Sequence, residues 1–136
     1  MEFDIKKPID VKLNVQPVMY GLYHNYVFEG PCRFGAGVEL TKDADMMKIQ
    51  EAKKALVKGL EEGVDPRLVT LLPATETLRD ETFPLTEEHL EAAAGPNPDD
   101  VDLYIFGNFG FGIDFLLEFV QRYHKPVAYM EFCCGN

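Results

Sequence analysis

Two hydrophobic periods alternate along this chain, one of two residues and one of between three and four. Over positions 11–20, Val11, Leu13 and Val15 alternate with Lys12, Asn14 and Gln16, and Val18 and Met19 carry the apolar character onward. That pattern predicts a strand. Pro17 has no N–H for a ladder, which places it near the strand's end or at a sheet edge. From 41 to 62 the period lengthens. Ile49, Ala52, Leu56 and Leu60 recur at three- and four-residue spacing, with Ala55 and Val57 widening the stripe. A helix with one apolar face follows from this spacing, capped by Thr41 or Asp43 and stopped at Gly63.

A short leucine and β-branched run over 68–72 predicts a second strand, closed by Pro73. Positions 75–84 show neither period and read as loop. Thr86 then caps a short helix with His89 in its third position, and Gly95-Pro96-Asn97-Pro98 ends it. The last third repeats the alternation. A buried strand is expected over 101–106, a tight turn over 107–112, a helix over 113–123 and a strand over 127–132. The helix would carry Phe115, Leu116, Phe119, Val120 and Tyr123 on one face. This stretch has the length of a crossover between parallel strands. Positions 21–40, rich in glycine and aromatic residues, carry only a short candidate strand near 26–28; long irregular segments of compact domains commonly carry function.

The order β-α-β-α-β-α-β predicts an α/β fold: an open parallel sheet of about four strands with helices on both faces, joined by right-handed crossovers. This is a flavodoxin-like or Rossmann-like three-layer sandwich, and the length suits one domain over 1–136. No helix follows the fourth strand. The reading is therefore an N-terminal domain or fragment of a longer protein, or a subunit whose last strand is covered by a partner domain or by another copy in a homo-oligomer.

Composition narrows the partners. Apolar residues make up 46% of the chain and charged residues 26%, an ordinary globular balance. The net charge is −10, and the densest basic group, Lys48, Lys53, Lys54 and Lys58, lies among acids on the first predicted helix. Nucleic acid and anionic membranes are not the expected partners, because both need clustered cations. Three cysteines without framework spacing, and an acidic start with no basic and apolar leader pattern, point to the cytoplasm.

In open α/β sheets ligands bind outside the carboxyl ends of the strands. That rule gathers residues distant in sequence: His24, Glu29, Cys32 and Arg33 after the first strand, Asn108, Phe109 and Phe111 after the third, and Cys133 and Cys134 after the fourth. Glu29, Arg33 and Asn108 would supply hydrogen bonds to a small polar ligand, with Tyr23, Phe109 or Phe111 as an apolar wall. His24 is the other candidate contact, and by topology the candidate base for Cys32, whose thiol Arg33 could make more acidic. The set Gly107, Gly110 and Gly112 resembles a phosphate-cradling turn, but no lysine follows it and Asp114 puts a negative charge in the first helical turn. A tight turn that seats the helix is the preferred reading. Cys32 with Cys133 or Cys134 could hold a metal ion, or serve redox chemistry, although no C-x-x-C spacing is present. Nothing in the sequence names a cofactor.

The segment 100–132, with its Asp-Val-Asp entry, glycine turn, helix and the strand Lys125-Pro126-Val127-Ala128-Tyr129, resembles the N-terminal domain of L-fucose/L-arabinose isomerase-like proteins. The earlier strand, long loop and helix over 15–60 are compatible with the same layout. The resemblance implies an aldose–ketose isomerase, an intramolecular oxidoreductase of carbohydrate metabolism whose divalent metal is held in later domains. It implies for this chain a substrate-side and oligomer-contact role, with a sugar as the small polar ligand and no turnover alone. Positions 28–35 and the terminal cysteines lie outside the resemblance.

Overall fold

The first alternating segment becomes the centre of a parallel sheet. The computed structural model describes residues 12–23, 42–80, 84–109 and 113–132. Strand β1 (Leu13–Tyr23) pairs on one side with β2 (Val69–Leu71) and then β3 (Thr75–Asp80), and on the other with β4 (Leu103–Phe109). Strand β5 (Val127–Phe132) pairs with the far side of β4. All four pairings are parallel. Because β2 and β3 lie end to end along β1, the described strands occupy four tracks, as the sequence predicts.

Helix α1 (Lys42–Gly63) connects β1 to the β2–β3 track. Helices α2 (Glu87–Ala94) and α3 (Ile113–Tyr123) connect β3 to β4 and β4 to β5. The chain moves one way from β1 and the opposite way afterwards, so crossovers of one hand put α1 on one face and α2 and α3 on the other. The packing agrees. Met19 and Ile49 form a small buried cluster with Met46, Ala52 and Leu78 on the α1 side. Val18, Tyr20, Tyr104 and Phe106 meet Leu90, Ala93, Phe115 and Phe119 on the other side. The larger core is aromatic: Tyr20 stacks on Phe115 at 4.4 Å, and Phe106 meets Phe119 edge-to-face at 4.9 Å. Each such ring contributes about 1.5–3 kcal/mol by leaving water.

Pro17 is a correction. It sits in the interior of the central strand, not at its end or at an edge. The sheet tolerates it because the neighbouring track is broken there. The Val15 carbonyl accepts from Leu72 N–H at 2.9 Å, so Pro17, two residues on, faces the same side, opposite the gap between β2 and β3. No ladder partner is lost. The buried Gln16 amide closes the gap, donating to the Pro73 carbonyl at 2.7 Å and the Pro17 carbonyl at 2.8 Å.

Five other expectations change. Positions 75–80 form β3 rather than loop, and Gly107, Asn108 and Phe109, expected in a turn, belong to β4, while 110–112 lie outside the described residues. Strand β1 runs on through Tyr23, into the segment read as irregular. Asp43 lies inside α1 rather than capping it, while Thr41 falls outside the described residues. Val120 is 40% exposed and Ala55 is exposed, so both apolar stripes are narrower than predicted. By contrast, α1 ends at Gly63, α3 covers 113–123 and β5 covers 127–132, as the spacing requires.

Candidate functional site

Parallel strands put all their carboxyl ends on one edge of the sheet. Strands β1, β3, β4 and β5 end there at Tyr23, Asp80, Phe109 and Phe132. The direction of winding reverses about β1 and β4, which makes this edge the topological switch point where open α/β sheets take ligands. The sheet brings three of the expected site residues to that edge, Tyr23 at the end of β1 among them. Asn108 lies in register with Tyr20 and Glu131, and Phe109 with Gly21 and Phe132. His24, Glu29, Arg33 and Phe111, together with Cys32, Cys133 and Cys134, lie outside the described residues. Among the described residues no group of three His, Cys, Asp or Glu is arranged to hold a metal ion.

A cleft of about 330 Å³ opens on the same edge, between the starts of α2 and α3. Its lining is Leu85, Thr86, Glu87, Leu90, Asp114 and Glu118. Both helices begin just after a strand ends, so the topology itself carries their first turns here. Thr86 is the N-cap of α2, and its N–H donates to Nδ1 of His89 at 3.0 Å. His89 thus serves as the acceptor usually supplied by a third-position glutamate or glutamine.

Two ion pairs hold two of the three carboxylates of the cleft. Arg122 Nε meets Glu87 Oε1 at 2.7 Å and ties the two helices together. Arg79 Nη1 meets Asp114 Oδ2 at 3.1 Å and ties β3 to the first turn of α3. The Arg79 side chain is only 11% exposed, against 53% for Asp114. Its guanidinium carbon also lies 5.9 Å from the centre of the Tyr20 ring. A cation this deep needs an opposite charge close by, and Asp114 provides it. Burial pushes the Tyr20 hydroxyl up to about 12, with the Arg79 charge opposing and the Asp114 charge adding to the rise. Tyr20 is therefore neutral at ordinary pH, and among the described residues neither its hydroxyl nor Arg79 Nε has a hydrogen-bond partner within bonding geometry.

This arrangement suits hydroxyl groups better than phosphate. The carboxylates of Asp114, Glu87 and Glu118 accept hydrogen bonds, Thr86 can donate or accept, and Leu85 and Leu90 give an apolar wall. A phosphate would meet three carboxylates, two of them already balanced by arginine. A second cleft, of about 440 Å³, lies at the break between β2 and β3, lined by Gln16, Leu72, Pro73 and Asn97 among others. It is larger, but the Gln16 amide that lines it already donates to the Pro17 and Pro73 carbonyls.

Arg79 escapes the sequence reading because positions 75–84 show no hydrophobic period. The threonines at 75 and 77 are the available signal, since their β-branched side chains favour an extended chain. Asp114 enters the sequence reading only as a negative charge that opposes anions.

No family model matches this chain, and neither the curated proteins nor the solved structures include a match.

Proposed function

We propose that this chain is a substrate-side α/β domain that binds a small, hydroxyl-rich molecule in the cleft between the starts of α2 and α3. The observation that supports this reading is the cleft itself: three carboxylates and a threonine hydroxyl, with two leucines, on the edge where the strands end. Vicinal hydroxyls can donate to carboxylates held in place by arginines, and the leucines suit the carbon face of such a molecule. The resemblance at 100–132 supplies the class, a sugar handled by an aldose–ketose isomerase-like protein, with this domain non-catalytic.

The test is a titration of the isotope-labelled chain with a panel of aldoses and ketoses, followed by amide chemical shifts. Saturable shifts at Thr86, Glu87, Asp114 and Glu118 are expected, with no conversion of aldose to ketose. Isomerisation by the purified chain alone would overturn the non-catalytic role. Shifts absent from these four amides across the whole panel would overturn the site.

A further inference from the structure

Strand pairing puts Tyr20 and Arg79 on one face of the sheet. Tyr20 is in register with Thr77, and Leu22 with Arg79, so the two side chains stand one step apart on the side covered by α2 and α3. The Tyr20 ring is 1% exposed and stacks on Phe115, the third residue of α3. Asp114, one residue earlier, lines the cleft and bonds to Arg79. The tyrosine and the arginine therefore lie behind the cleft, at the first turn of α3. The Arg79 guanidinium carbon is 5.9 Å from the centre of the Tyr20 ring, so their polar groups are neighbours.

Each side chain keeps a donor uncommitted. The ion pair with Asp114 runs through Arg79 Nη1. Among the described residues, neither the Arg79 Nε–H nor the buried Tyr20 hydroxyl has a partner in bonding geometry. A buried donor without an acceptor costs free energy, and two side by side call for an acceptor from outside the chain. Resting on the hydroxyl-binding reading of the cleft, we infer that Tyr20 and Arg79 form a subsite for a neutral carbonyl oxygen of the ligand. The molecule bound is then a polyhydroxylated carbonyl compound with a hydroxyl on the adjacent carbon.

The chemistry of the donors sets this class. A carbonyl oxygen has two lone pairs and no proton, so it can accept from both groups at once. A carboxylate or a phosphate would also accept, but the surroundings oppose it. Asp114 already balances the Arg79 charge, Glu87 and Glu118 line the same cleft, and the chain carries −10 overall. Asp114 stands beside the pair and accepts from the hydroxyl on the adjacent carbon. Both donors are closed off in the free chain, so entry of the oxygen requires the Asp114 side chain, 53% exposed, to shift.

Erythrulose and erythritol test the subsite, because they differ only in a ketone against a hydroxyl at one carbon and neither closes a ring. Chemical-shift titration of the labelled chain gives both affinities, and the Arg79 Nε–H signal reports on the subsite itself. Erythrulose should bind at least about tenfold more tightly, and it alone should move that signal. Tyr20→Phe keeps the ring on Phe115 and should cut the preference to about twofold or less. Its thermal midpoint should be no lower than that of the wild type, since the lost hydroxyl bonds to no described residue in the free chain. A lower midpoint would overturn the proposal, because the hydroxyl would then be spent within the free protein. Equal binding of the two compounds would also overturn it, as would tighter binding of erythronate, which would mark an anion site. After either result the hydroxyl-binding cleft would still stand. Shifts absent at Thr86, Glu87, Asp114 and Glu118 with every compound would remove the cleft, and the subsite with it.

Discussion

The side-chain amide of Gln16 donates to the carbonyl of Pro73 at 2.7 Å, bridging the one place where β1 has no neighbouring strand on that side. It donates at the same time to the Pro17 carbonyl. Replacing Gln16 with leucine keeps the bulk and strips these acceptors of their donor. A loss of about 1–3 kcal/mol is expected, the usual penalty for buried polar groups left unpaired. The midpoint of urea unfolding measures it, and an unchanged midpoint would mean that water serves the gap equally well.

Gly21 faces α1 so closely that a Cβ there would lie 2.6 Å from Ile49 Cδ1 and 3.0 Å from its Cγ1. Gly21→Ala should therefore cost about 1–3 kcal/mol through overpacking. Ile49→Val removes the nearest carbon. In the Gly21→Ala background it should cost less than the roughly 0.5–1.5 kcal/mol expected on its own. A double-mutant cycle reads the coupling directly, and strict additivity would place the strain elsewhere.

The Tyr104 hydroxyl donates to the Ala94 carbonyl at 2.9 Å and fastens the end of α2 to β4. Burial pushes this phenol up to about 12, with Tyr123 and Asp99 adding to the rise. Tyr104→Phe keeps the ring and its edge-to-face contact with Phe119, so the loss should be about 1 kcal/mol. The dependence on urea concentration should keep its slope, because the surface exposed on unfolding is unchanged.

Glu76 offers a pH test. Partial burial pushes its carboxyl up, but hydrogen bonds from Gln50 and Lys53, both at 3.1 Å, and the Lys53 charge pull it lower overall. A depressed folded value means that the stabilisation is present above the unfolded carboxylate value of about 4.3 and is lost as pH falls through the folded one. Lys53 and Glu76 are 26% and 34% exposed, so solvent screening holds the effect to about 0.5 kcal/mol. Wild type and Glu76→Gln should differ near neutral pH and converge in acid. A gap that widens on acidification would reverse the assigned sign.

Asp114→Asn separates the two roles of the cleft. Removing the charge beside Arg79 should cost about 1 kcal/mol, a modest figure because Asp114 is half exposed. It should weaken sugar binding more than it lowers stability if the carboxylate accepts ligand hydroxyls. Thermal melts with and without ligand distinguish the two effects.

Where hydrophobic spacing was strong, the sequence was a good guide. The paired apolar positions of α1 and α3 placed both helices, and Gly63 and Lys125-Pro126 marked their ends. Strand β3 escaped because all but one of its residues are polar: Thr75 donates to the Ala93 carbonyl, Glu76 binds α1 and Arg79 binds α3. A strand held by specific polar partners on both faces leaves no alternation to detect. Pro17 was misplaced for a related reason, since its tolerance depends on a break in a strand more than fifty positions away. The strand-end edge was found from topology alone, but the cleft there needed Arg79 and Asp114 to be seen together, and no local pattern joins them.

The central position of β1 also bears on the order in which the molecule assembles. Asn14 bonds to Asp102, 88 positions away, and the partners of β1 on its other side are also far along the chain, as in Leu13 beside Val69. Closing such loops is entropically slow, whereas β4, α3 and β5 join within a short span. The carboxyl-terminal unit is thus the natural nucleus, with β1 entering last between tracks already formed. Substitutions at Phe106 or Phe119 should then slow folding, while those at Met19 or Ile49 should chiefly hasten unfolding.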